Sequence, residues 1–157
     1  MLVEQDEIGQ EPVAFTKRNQ RKSVMGDRCH VEMLCHKVDA KRFEELGFVK
    51  AAWSNPSDHL ARMFDEQANY GAKSDLQALA DAGVIFIGAS GAGAEYHAAV
   101  FACDGKQLVS VNSLSDGIES QPVTAIDPDG NADPGTMKEI KRYYRTLKSA
   151  KKKLGIA

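Results

Sequence analysis

From residue 29 to 35 every second position is apolar. Cys29, Val31, Met33 and Cys35 alternate with His30, Glu32, Leu34 and His36. Successive side chains of a strand point to opposite faces, so a period of two gives one buried face and one wetter face. Such a strand requires partner strands and a layer covering its apolar face. The rest of the chain has to supply both.

Partner strands are visible further on. The continuous apolar run Val84-Ile85-Phe86-Ile87 suits a strand covered on both faces. Residues 96–103 and 106–112 are strand-like and flank Asp104-Gly105, a strong hairpin signal. A two-residue turn centred there sets His97 opposite Asn112, with Ala99, Phe101, Leu108 and Ser110 on the same face. Residues 48–53 and 122–126 read as further strands, and residues 88–93, rich in Gly, as a flexible loop.

Helices supply the cover. Asp39 is placed to cap residues 40–46, with Val38 stapled to Phe43, Gly47 ending the helix and Phe48 returning onto Phe43. Asn55-Pro56 reads as the start of a second helix, with Leu60, Met63 and Phe64 inward. A third runs from about Asp75 to Gly83. Thr136-Met137-Lys138-Glu139 is a capping box opening a C-terminal helix, with Ile140, Tyr143, Tyr144, Leu147, Ala150 and Leu154 on one side and Gly155 at its end. The expected fold is α+β, an antiparallel or mixed sheet of about five strands with a C-terminal amphipathic helix and two or three shorter helices. Residues 1–26, with one strand-like run at 12–16, read as an N-terminal arm, and 27–157 as a single globular domain.

The 157 residues are 43% apolar and 27% charged, which suits one packed core. No apolar stretch approaches the ~20 residues of a membrane span. The acidic N-terminus lacks the apolar segment of a secretory signal, and three cysteines fit a reducing compartment, so the expected location is cytoplasmic. Oligomeric state is not legible.

Charge is unevenly spread. From Met137 onward eight Lys and Arg face one acid, Glu139, giving +7 and leaving −9 on the preceding residues for a total of −2. A second basic cluster spans residues 17–22. Asymmetry of this kind marks a surface for an acidic partner. Lys141, Arg142, Arg145, Lys148, Lys151 and Lys152 are the candidate cations, and Tyr144 is a candidate stacking residue for a nucleic acid. The leading expectation is a small non-enzymatic binding or accessory protein, with an acidic protein surface or a nucleic acid as partner and no membrane.

The stretch GVIFIGASGAGAEYHAAVFACDGKQLVSVNS, residues 83–113, resembles the histidine block of NlpC/P60-like papain-fold cysteine hydrolases. That resemblance implies an alternative function, an amidase or peptidase, with Cys29 as nucleophile, His97 as base and Asn112 as its orienter. The family's cysteine starts a helix, whereas Cys29 opens a strand-like run.

No metal or cofactor is expected. In a strand Cys29 and Cys35 lie about 20 Å apart, too far to share one ion. The run Asp127, Asp129, Asn131, Asp133 has calcium-loop spacing, but Ala132 and Lys138 stand where a glycine and a bidentate Glu belong. The spacing of Gly88, Gly91 and Gly93 could cradle a phosphate only if residues 94–103 were helical.

Overall fold

The computed structural model describes residues 28–52, 57–94 and 96–156. The arm, its basic cluster at 17–22 and the proposed cap at Asn55-Pro56 lie outside these residues. Among the described residues six strands form one antiparallel sheet: β1 (Arg28–His36), β2 (Val49–Lys50), β3 (Leu60–Asn69), β4 (Ile85–Ser90), β5 (Ala99–Asp104) and β6 (Leu108–Asn112), in the order β2-β3-β1-β4-β5-β6. Three α-helices of the described residues cover it: α1 (Ala40–Glu45), α2 (Lys73–Asp81) and α3 (Pro134–Leu154). The α+β class and the C-terminal helix are as expected, with six strands rather than about five.

The alternation in β1 sorts the core. Cys29, Val31, Met33 and Cys35 join Met63, Phe86, Phe101 and Cys103 on one face, under Phe43 of α1 and Leu76 and Leu79 of α2. On the other face Ile87, Ala89, Val100, Ala102, Val109 and Val111 meet Tyr143, Ala150 and Leu154 of α3.

Each helix ends on a glycine with positive φ: Gly47 (98°), Gly83 (79°) and Gly155 (74°). At each one the glycine's own amide and the next return to the helix's last carbonyls, as with Phe48 N–H to Phe43 O at 3.1 Å and Ile156 N–H to Lys151 O at 2.8 Å. That closure satisfies carbonyls the helix leaves unpaired. Phe48 also sets its ring edge-on to Phe43, as expected.

Several expectations are corrected. Leu60, Met63 and Phe64 belong to β3, not to a helix. Met63 pairs with Met33 and Leu60 with His36, and this long ladder overrides a spacing that helix and strand share. Residues 88–90 continue β4 rather than forming a loop. Gly88 is required there because Phe101, directly across, fills the space its side chain would occupy; a Cβ would lie 2.5 Å from the ring. Residues 99–104 form β5, which excludes the helix that a phosphate loop at 88–93 would need. Val38 is 88% exposed, so the staple does not form; a 3-10 turn at Lys37–Asp39 carries Val38 outward. The strand at 48–53 shortens to β2. The one at 122–126 reduces to isolated bridges of Pro122 with Ser113 and Ile126 with Ala132. Finally, α3 opens at Pro134. Asp133 caps it, accepting from the Thr136 N–H and hydroxyl, both at 2.8 Å, so Thr136 is not the cap.

Candidate functional site

Two surfaces carry the residues singled out in the sequence. The first is the outer face of α3. At ~100° per residue, Lys138, Lys141, Arg145, Lys148 and Lys152 fall within an arc of about 80°. All five are exposed. The stripe lies roughly opposite the buried side, which is Tyr143, Thr146, Ala150 and Leu154. At ~1.5 Å rise per residue it runs about 21 Å. None of the five forms an ion pair among the described residues.

Two of the remaining cations have internal work. Arg142 donates to Glu139 at 3.0 Å and to Gln107 at 3.1 Å, holding the helix to the β5–β6 turn. Lys153 donates to the Asp104 carbonyl at 2.8 Å. Sequence reasoning therefore placed Arg142 in the binding set although it is engaged elsewhere, and left out Lys138. The three- and four-residue spacing along the helix is the signal that finds Lys138.

Tyr144 is 49% exposed at one border of the stripe. With Lys151 it edges a cleft of about 190 Å³, closed on the far side by Ile118, Glu119 and Gln121. Its neighbour Tyr143 is buried, with ring centroids 5.4 Å apart. Burial, aided by nearby Tyr144, pushes the Tyr143 hydroxyl up to about 12.

The second surface is a cavity of about 680 Å³ on the α2 face of the sheet. Its floor is built from Ser90, Ala99, Phe101, Ser110 and Asn112. The start of α2 forms one wall, with Tyr70, Gly71 and Lys73, and the start of α3 forms another, with Asp133 and Glu139. His97 and Asn112 both border it, but they are not opposite each other. Ala99 pairs with Asn112, two residues on from the expected register. The cause is Asp104, whose carboxylate accepts from the Lys106 and Gln107 N–H groups at 3.0 and 3.1 Å. That fixes Asp104 as the first residue of the turn and leaves Gly105 (φ 91°) and Lys106 at its centre. A shift of two preserves which face each side chain takes. Partial burial raises the Asp104 carboxyl, but those N–H groups, Lys153 and Ser149 outweigh it and hold it below the usual range.

Cys29 lies apart from this cavity. It is buried at the start of β1, paired with Ala68, and is not among the cavity's lining residues. A Cβ on Gly91 would come within 3.7 Å of the Cys29 Cβ. Burial pushes the Cys35 thiol up to about 12, with Asp39 adding to the rise and Lys50 opposing it. Burial likewise raises Cys103. In the loop before α3, the Asp127 carboxylate accepts from the Asp129 and Asn131 N–H groups, and Asp133 caps the helix. No group of three or more His, Cys, Asp or Glu among the described residues could hold a metal.

No described helix is long and apolar enough to cross a membrane. No family model, curated protein or solved structure matches the chain.

Proposed function

We propose that this chain is a small binding protein that docks an acidic partner along the outer face of α3, and that the partner is a nucleic acid strand. The observation that carries the reading is the unbroken stripe Lys138, Lys141, Arg145, Lys148 and Lys152. A single cation on a helix surface is ordinary. Five aligned over about 21 Å with no carboxylate among them make a linear positive field, which matches a linear polyanion. Tyr144 and its adjoining cleft favour nucleic acid over an acidic protein surface, because an exposed ring beside a basic track can stack on a base.

The test is fluorescence anisotropy with a labelled single-stranded oligonucleotide, and separately with polyglutamate, across a salt series. Neutralising five phosphates of a single strand gives a log–log salt slope of about −3.5. The triple variant Lys141→Glu, Arg145→Glu, Lys148→Glu is expected to abolish that slope and weaken binding at least thirtyfold. Arg142→Ala, on a residue held by Glu139 and Gln107, should leave binding within about twofold. Tyr144→Ala should weaken the oligonucleotide and spare polyglutamate. Absence of binding to the oligonucleotide at low salt, or a slope that survives the triple variant, would overturn the reading. Binding of polyglutamate alone would replace nucleic acid with an acidic protein.

A further inference from the structure

The cavity on the α2 face is separate from the basic stripe and is lined by polar groups, Ser90 and Lys73 among them. Ser90 sits on its floor, 6% exposed, with no hydrogen-bond partner for its hydroxyl among the described residues. That hydroxyl opens to the cavity, where a ligand oxygen can accept from it. Directly beside it α2 begins. The residue at its N-cap is Ala72, which supplies no side-chain cap, and the positive end of the helix lies at the cavity wall. Lys73, in the first turn, lines the cavity and forms no ion pair among the described residues. Asp75, the acid of that turn, is buried outside the cavity lining.

The approach to this helix is strained. Tyr70, Gly71 and Ala72 all take left-handed backbone conformations, with φ of 50°, 67° and 58°, and two of the three are not glycine. The turn brings the start of α2 against Ser90: a Cβ on Gly71 would lie 3.5 Å from the Ser90 Oγ. The start of α3 on the opposite wall is already satisfied, because Asp133 occupies it. An anion in this cavity therefore has one place to go. Leu76, Phe101 and Leu108 offer an apolar bed beside it, and the volume is that of a small-molecule site.

We propose that this cavity binds a small organic anion, a carboxylate or phosphate ester with an apolar body, its charged end received by the Ser90 hydroxyl, Lys73 and the first amides of α2. The probes are phenyl phosphate, benzoate and the neutral benzyl alcohol, followed by amide NMR shifts on the full chain. At least one anion should move the amides of Lys73 and Ser74 and bind at least tenfold more tightly than benzyl alcohol. Which of the two binds better separates a phosphate from a carboxylate source. Ser90→Ala, which removes one oxygen, and Lys73→Gln, on an exposed side chain, should each weaken binding at least fivefold with the remaining spectrum unchanged. Lys148→Glu, on the stripe of α3, should not. The proposal is overturned if neither anion binds, if benzyl alcohol binds equally well, or if the shifts map to α3 and vanish with Lys148→Glu.

Discussion

One helix of 21 residues, α3, covers its face of the sheet in a single piece, whereas the opposite face is shared by α1 and α2, of 6 and 9 residues. Both covers are anchored by buried apolar side chains, but the long helix crosses β4, β5 and β6 in one pass and spends its outer side on charge. The two short helices concentrate on β1, β3 and β4. They leave the β5–β6 end of their face to a cavity. The same sheet thus offers an outer charged surface on one side and an inner recess on the other. Cover length, more than sheet composition, decides which.

The largest expected effect strikes the α2 face where it is tight. In Gly88→Ala the new Cβ would lie 2.4 Å from the Glu32 carbonyl oxygen, a backbone atom that cannot step aside, and a loss of about 5 kcal/mol by urea denaturation is expected. Gly117, with nothing within 4 Å, should accept Ala nearly neutrally.

Next comes a direct contrast of the two covers. Leu154→Ala on α3, at a fully buried position, is expected to cost about 4 kcal/mol. Leu76→Ala on α2, which already borders open space, should cost about 2 kcal/mol, since a truncation beside an existing cavity forfeits fewer contacts. Equal losses would erase the distinction.

Cysteine titration is smaller and tests the α2 face alone. Because Cys35 is held near 12 against 9.0 when free, the unfolded chain ionises first. Stability should be fully present below about pH 9 and decline as pH rises from there towards 12. Below that range Cys35 should label only when the protein unfolds, which iodoacetamide kinetics in increasing urea would show. Rapid labelling of Cys29 below pH 7, lost in His97→Ala, is the result that would instead favour the thiol hydrolase.

The smallest effect lies at the turn joining the two covers. Asp104 is held below its free value of 3.8, so its contribution is present above about pH 4 and is lost as pH falls through the lower folded value. Asp104→Asn should flatten that part of the acid unfolding curve.

What could be read from the chain depended on how local its cause was. β1 declared itself by alternation, and the helix ends by Gly47, Gly83 and Gly155, because both signals lie within a few residues. β3 was missed since its ladder depends on β1, whose paired residues are far away in sequence. Gly88 looked like a loop because Phe101, the residue that makes glycine necessary, sits on the next strand. The cationic stripe needs only helical spacing and was largely legible. Ser90, Lys73 and Asn112 come from three separate segments, and only tertiary packing makes them neighbours.

The central position of β1 has a consequence in time. β4, β5 and β6 follow one another and can zip together through short closures, but β1 must find β3 and β4 across the spans from His36 to Leu60 and from Cys35 to Phe86. Closing those spans is the entropically demanding step, so joining β1 to the meander sets the folding rate. Until it happens, β4 presents an open edge to any other chain.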